Sequence, residues 1–149
     1  VGGRMTKSEL LQYIKKHGGG IIATQSSSGN PRAAFVAFAV SDQLELIFDT
    51  VKSSRKWENL QHFNKVAVVI GGWDNSETTL QVEGIADEPT GQELERIQSV
   101  YFAAFPEGRD RLEWEDITHI RIKPTWLRYS DFNNPPSIAE LDTNQLRAL

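Results

Sequence analysis

Short apolar runs separated by tight polar turns constrain the fold of this chain more than any other feature. The clearest pair is Ala33–Val40 and Leu44–Phe48, which are separated only by Ser41-Asp42-Gln43. Two such runs around a three-residue turn predict an antiparallel hairpin. Val66–Ile70 is a continuous run rich in β-branched residues and predicts a strand buried on both faces. Consecutive hairpins of this kind favour an antiparallel sheet.

The remaining elements follow the same logic. Further strands are predicted over Ile21–Thr24, Thr78–Ala86 and Ile117–Tyr129, the last broken at Pro124. Helices are predicted over about Lys7–Lys16 and Arg55–Phe63, after the capping box Thr90-Gly91-Gln92-Glu93, and from Ser137 to Glu140. About six strands with peripheral helices indicate a mostly β protein of the α+β type. Closure into an antiparallel six-stranded barrel removes exposed edges.

Composition narrows the class of protein. A chain of 149 residues, 39% hydrophobic and 24% charged, suits a single domain over residues 1–149. The net charge of −4, without a block of like charges, argues against a nucleic-acid or anionic membrane surface. Without a bilayer-spanning apolar run or signal-peptide pattern, the expected location is cytoplasmic. Residues 1–4, before Met5, are interpreted as a leftover of cloning.

Metal and thiol chemistry has little support. The absence of cysteine excludes disulfides, thiolate nucleophiles and cysteine-based metal sites within this chain. The three histidines, His17, His62 and His119, follow no metal-ligand spacing. No metal site is therefore predicted.

The segment from Phe48 to Leu60 carries the strongest chemical signal. Its apolar start leads into a polar turn, an Arg-Lys pair and a helical pattern. Free backbone N–H groups and the positive end of a helix dipole favour an anion at such a place. Arg55 can donate two hydrogen bonds to a phosphate, and Lys56 adds a compact charge. With the hydroxyls of Thr50, Ser53 and Ser54, this segment predicts a phosphate cradle for a cofactor.

A plainer alternative stands beside this interpretation. Ser53 or Ser54 can simply cap the helix, with Arg55 and Lys56 as solvated surface charges. Short motifs often match by chance, so residue chemistry alone favours the plainer alternative. Against it, basic residues in a first helical turn oppose the dipole unless an anion is present.

The order of these segments resembles the pyridoxamine phosphate oxidase-like family of FMN-binding split barrels, from about Ile21 to Asp131. The strongest part is the pattern Phe-x-Thr-x-x-x-Ser-Arg-Lys, here Phe48–Lys56. Asn59-Leu60, the stretch from Asn64 to Val68 and the stretch from Leu80 to Ala86 resemble the segments that follow in the family.

The resemblance implies FMN as the cofactor and a homodimer with FMN at the interface. Arg55 and Lys56 would grip the phosphate, helped by Ser54 and Ser53. Thr50, next to Asp49, would hold the ribityl chain or the ring edge.

The same resemblance implies contacts to the isoalloxazine ring. The strand before the motif would lie along the ring, and Gln81 would hydrogen-bond to it. An aromatic residue on the last long strand would stand beside it. On the strand before the motif, the implied residues are Arg32, Phe35 and Val36. On the last long strand, the implied residue is Tyr129 or the nearby Trp126.

Each ring contact has a structural alternative. Phe35 and Val36 can be core residues, Gln81 can face solvent, and Trp126 and Tyr129 can pack the barrel. Trp73, in a predicted loop, can cover the barrel or cap a dimer surface.

The sequence departs from the oxidases where their substrate binds. The stretch from Asp131 to Pro136 has no Arg or His, and Ala37-Phe38-Ala39 stands where a substrate-binding Lys is expected. The chain therefore resembles the short, general-stress-protein-type members. The expected function is an FMN-dependent oxidoreductase with an undefined substrate. The alternatives are a non-catalytic flavin-binding or sensing module, a barrel for haem or a deazaflavin, and a structural dimer without ligand.

Overall fold

The computed structural model describes residues 4–149, so only Arg4 of the predicted cloning leftover is described. The helices are α1 Lys7–His17, α2 Arg55–His62, α3 Gly91–Ala104 and α4 Thr143–Arg147, with a 3₁₀ helix over Pro106–Glu113. The strands are β1 Gly19–Gln25, β2 Pro31–Ala37, β3 Ala39–Val40, β4 Leu46–Val51, β5 Lys65–Gly71, β6 Thr78–Asp87, β7 Ile117–Asp131 and β8 Ser137–Asp142. None of these helices is long and apolar enough to cross a membrane.

All described strand pairings are antiparallel, in the order β2-β1-β5-β6-β7-β4-β3. The long strand β7 pairs with β6 along one edge, and with β4 and then β8 along the other. Only Phe38 separates β2 from β3, the two ends of this order, so the chain itself joins the two edges. The result is the mostly antiparallel half-barrel with helices that the sequence predicts. Residues 4–149 form eight strands rather than six, partly because β3 is separate from β2.

The predicted closing helix at Ser137–Glu140 is wrong. These residues begin β8, which pairs with residues 126–131 of β7. The helix comes later, over Thr143–Arg147, where Asp142 and Gln145 form the capping box. A long neighbouring strand with a free edge outweighs the weak local preference of this segment.

Three smaller predictions also need correction. Strand β5 is not buried on both faces, since Lys65 and Ala67 are exposed while Val66 and Val68 are buried. Thr90 precedes α3 but makes no side-chain capping bond. Strand β7 continues through Pro124 instead of breaking there.

The irregularity in β7 is a bulge beside the proline. Glu83 pairs with Trp126 and Gly84 with Pro124, which leaves Thr125 without a partner in the register. Because proline has no N–H to give to the ladder, the strand accommodates it at a bulge.

Strand β4 is buried on both faces, and this fixes the surroundings of the motif that follows it. Leu46 and Phe48 face the barrel interior, where the Phe38 and Phe48 rings meet edge to face at 5.7 Å. Ile47 faces the other way, into a second cluster under α3 that includes Ile97 and Tyr101. Alternation along the strand therefore directs Asp49 toward α3 and Thr50 toward the barrel end.

Candidate cofactor site

The cradle segment joins the end of β4 to the start of α2. Ser54 caps α2, because its Oγ accepts from the backbone N–H of Trp57 at 3.1 Å. The same Oγ lies 2.9 Å from Oγ1 of Thr50, with either hydroxyl able to donate. The last inward side chain of the strand is thus tied to the N-cap residue of the helix, as the predicted strand-turn-helix order requires.

The first turn of α2 has unused donors. Within residues 4–149, the backbone N–H groups of Arg55 and Lys56 find no acceptor. Neither side chain takes part in an ion pair in that range. Arg55 is exposed and Lys56 is half-buried. Two cations and two free N–H groups at one helix start form a site suited to a phosphate.

Ser53 is held by a residue that the sequence did not reveal. Its backbone N–H donates to Oδ2 of Asp116 at 3.1 Å, and the N–H of Lys52 donates to the Asp116 carbonyl at 2.9 Å. Asp116 precedes β7 and lies more than sixty residues away in sequence. It therefore fixes the cradle turn from outside the motif, with no local signal that predicts it.

The side chain of Asp49 points away from the cradle. Its Oδ2 accepts from Nε of Arg111 at 2.6 Å, and Nη2 of Arg111 also donates to the Tyr101 hydroxyl at 3.1 Å. Burial raises the pKa of Tyr101 to about 12, and the Asp49 carboxylate adds to this. The predicted role of Asp49 at the cofactor stays a prediction, because its carboxylate already binds Arg111 of the 3₁₀ helix.

Other predicted residues meet on the outside of the barrel. Phe35 lies opposite Ile21, Ile21 opposite Val69, Val69 opposite Gln81, and Gln81 opposite Arg128. Directly opposed residues share a face of the sheet, so these five form one row. We call this row and its neighbour the outer sheet face; the neighbouring row consists of Ala33, Ala23, Ala67, Glu83 and Trp126.

The outer sheet face is open and weakly polar. Phe35 is 64% exposed, Gln81 is exposed, and Trp126 is half-buried with its Nε1–H donating to Oε1 of Glu140 at 2.7 Å. Two concavities of about 760 and about 320 Å³ adjoin there and share the lining residues Ala23, Ala67 and Glu83. This face therefore has room for a flat group or a second chain.

Three predicted contacts lie on the opposite side of their strands. Val36 is 8% exposed and belongs to the core. Tyr129 packs edge to face on Tyr13 of α1 at 5.3 Å. Val36 and Tyr129 thus occupy the positions that the structural alternatives describe, and their contact with a cofactor stays a prediction.

Arg32 is the third of these residues and lies nearer the cradle helix. It pairs with Thr24 of β1, whose Oγ1 accepts from Nδ2 of Asn59 in α2 at 2.9 Å. Arg32 therefore lies beside Thr24, the residue that hydrogen-bonds to the helix beginning at Arg55.

Two buried nitrogens within the described part of the chain have no hydrogen-bond partner: Nε of Arg128 and Nε2 of His119. His119 lies under α3, where burial lowers its pKa. Arg128 lies on the outer sheet face, opposite Gln81. Sequence reasoning missed Arg128, since only the strand register shows that it shares a face with Gln81.

The residues present therefore fit a nucleotide-like cofactor in two respects. The start of α2 offers donors for a phosphate, and the outer sheet face carries a buried nitrogen that needs an acceptor. Residues 4–149 contain no group of three or more His, Cys, Asp or Glu that could hold a metal ion.

Comparison with known proteins agrees with this fold. The family described as pyridoxamine 5'-phosphate oxidase matches residues 6–131, so the chain belongs to that family. A pyridoxine/pyridoxamine 5'-phosphate oxidase from Burkholderia mallei is 33% identical over 87 residues, which are 58% of this chain. The match covers only 38% of that relative's length. The family resemblance predicted from the sequence is confirmed.

Solved structures share the fold at low identity. A heme-binding protein from Mycobacterium smegmatis has a TM-score of 0.81 and 16% identity, covering 98% of this chain and 62% of that one. General Stress Protein 26 from Bacillus anthracis has a TM-score of 0.68 and 23% identity, covering 91% and 98%. A pyridoxamine 5'-phosphate oxidase-related, FMN-binding protein from Nostoc punctiforme has a TM-score of 0.68 and 13% identity, covering 93% and 90%. These likenesses concern the split-barrel fold.

Proposed function

We propose that this protein is an FMN-binding flavoprotein that acts as an oxidoreductase and works as a homodimer. The observation that carries the proposal is the start of α2, where Arg55 and Lys56 combine two free backbone N–H groups with two unpaired cations among the described residues. The Thr50–Ser54 hydroxyl pair stands beside them. A doubly charged phosphate satisfies all of these donors and removes the conflict between the basic residues and the helix dipole.

FMN, when bound, supplies hydride or electron transfer, and the protein supplies binding and orientation. Arg55 and Lys56 would hold the phosphate, with Ser54 and Ser53 beside them. Thr50 would support the chain between phosphate and ring. Gln81, Phe35 and Trp126 are the predicted ring contacts that share the outer sheet face.

The proposed dimer uses that same face. Ala33, Ala23 and Ala67 make three adjacent positions of its second row flat, and Phe35 leaves a large apolar surface open to solvent. Small side chains next to an exposed aromatic ring suit close approach of a second chain. The dimer and the cytoplasmic location remain parts of the proposal.

The test is a titration of the purified protein with FMN and, separately, with riboflavin, followed by flavin fluorescence. The double variant Arg55→Ala/Lys56→Ala is expected to lose FMN affinity at least a hundredfold, since two charge-assisted contacts are removed. Riboflavin binding should stay within threefold, because riboflavin has no phosphate. The control Lys15→Ala/Lys16→Ala removes an exposed basic pair from α1. Equal FMN affinity in the wild type and the cradle variant would contradict the proposal.

A non-catalytic flavin-binding or sensing module remains the main alternative. The two functions differ in turnover. An oxidoreductase is expected to have its bound flavin reduced by NADH or NADPH and reoxidised by oxygen or another acceptor. A flavin that stays oxidised with both donors would favour the sensing module.

Haem ranks below FMN as the proposed cofactor of this chain, although the fold neighbours include a heme-binding protein. His17 is engaged by the Tyr13 carbonyl and Asp74, and His119 is 2% exposed. Only His62 is exposed. A Soret absorption band after haem addition that disappears in His62→Ala would support haem instead.

Oxidation of pyridoxamine phosphate is not part of the proposal. The loop between β7 and β8 contains Phe132 and Asn133 but no Arg or His. The family resemblance implies a substrate-binding lysine in the stretch that is Ala37-Phe38-Ala39 here. Phe38 is instead a buried core residue. The substrate is therefore expected to differ from that of the oxidases.

A further inference from the structure

Arg128 is a cation without a partner on the outer sheet face. Its Nε is buried, yet this nitrogen has no hydrogen bond within residues 4–149. Its guanidinium forms no ion pair with any described carboxylate. Buried donors in native proteins are nearly always bonded, so an orphaned one indicates a missing acceptor.

The neighbours of Arg128 do not supply that acceptor. Gln81 on β6 and Glu140 on β8 lie directly opposite it on either side. Oε1 of Glu140 instead accepts from Nε1 of Trp126 at 2.7 Å. The carboxylate nearest in register is therefore directed to the neighbouring row, and Arg128 is left beside Gln81.

We propose that Arg128 is a cofactor-tuning residue that contacts the flavin ring beside Gln81 and favours its reduced form. This inference rests on the proposed function, which places FMN on the outer sheet face. A hydride carries two electrons and one proton, so its transfer from a reduced nicotinamide turns a neutral flavin ring into an anion. A guanidinium against the ring stabilises that negative charge and raises the reduction potential. Arginine suits this task because it stays protonated when partly buried.

The experiment measures the midpoint potential of the FMN-loaded protein by equilibration with a reference dye. In Arg128→Gln, the preference for reduced over oxidised FMN is expected to fall about tenfold. For a two-electron couple this is a shift of about 30 mV to more negative potential. Arg128→Lys keeps the charge and is expected to shift less. The matched control Arg147→Gln removes one exposed positive charge from α4 and should leave the potential unchanged.

Several results would overturn the inference. An unchanged potential in Arg128→Gln with FMN bound removes this proposal and leaves the proposed function intact. A wild type that binds no FMN removes both. Conversion of Arg128→Gln to a monomer, with the potential unchanged, would mean that the guanidinium bonds to the second subunit. If Arg128→Gln does not fold, Arg128→Met keeps the apolar stem and replaces it in the same measurement.

Discussion

The cradle and the outer sheet face are built in opposite ways. The cradle comes from consecutive residues, Thr50 to Lys56, and its main hydrogen bonds connect neighbours in the chain. The outer sheet face takes two residues from each of five strands, and only the register brings them together. A binding site made from adjacent residues can be predicted from a motif, whereas a site made from register needs the fold.

The largest effect is expected from a charge placed in the middle of the outer sheet face. Ala67→Glu introduces a carboxylate where two concavities meet, directly opposite Glu83, and unpaired charges buried between subunits are strongly unfavourable. We expect a monomer in sedimentation velocity and at least a hundredfold loss of FMN affinity. Ser99→Glu on the exposed surface of α3 is the control. A variant that still forms a dimer and binds FMN normally would show that the outer sheet face is neither the dimer interface nor part of the FMN site.

The next effect tests the cradle through its cap. Ser54→Ala should lower stability by about 1 kcal/mol, since the helix cap is lost. Ser54→Asp restores a good cap but places a negative charge beside the phosphate, so stability recovers while FMN affinity falls about tenfold or more. Thermal unfolding and FMN titration of both variants measure the two effects. Tight FMN binding by Ser54→Asp would contradict a phosphate at this position.

A smaller effect is expected from the distant residue that holds the cradle turn. Asp116→Ala removes the acceptor for the Ser53 N–H, a loss of about 1 kcal/mol or a few-fold to tenfold in FMN affinity. Asp116→Asn keeps an acceptor and should retain the geometry. Riboflavin affinity should be the same in both variants. If Asp116→Ala weakens riboflavin equally, Asp116 stabilises the whole protein and not the cradle.

The smallest effect is expected from His119, which lies under α3. Burial lowers the pKa of His119, so the unfolded chain takes up a proton that the folded chain does not. The stability that the neutral His119 side chain contributes is therefore complete above the ordinary histidine pKa. The free energy of unfolding decreases as the pH falls below that value. Urea unfolding at about pH 8 and about pH 5 should show a smaller acid loss in His119→Phe than in the wild type. FMN affinity should be unchanged, and a large loss would extend the site toward α3.

The sequence predicted the positions of helices and strands more reliably than their burial and pairing. The helix start after Ser54, the long strand predicted over Ile117–Tyr129 and observed over Ile117–Asp131, and the antiparallel sheet all followed from local patterns. The closing helix was wrong because residues 137–140 have a weak preference of their own and pair with β7 instead. The two-sided burial of β5 was wrong because a continuous apolar run does not reveal which face solvent reaches.

The same division runs through the candidate site. The sequence by itself determined the proposed anion-binding motif, since hydroxyls, a basic pair and a helix start follow one another over a few consecutive residues. Only the tertiary structure decided that Gln81, Trp126 and Arg128 share a face, that Val36 and Tyr129 turn inward, and that Asp116 braces the turn. Side chains alternate along a strand, so a shift of one residue in register reverses every such assignment. Register is fixed by contacts between distant strands, and a local pattern carries no record of them.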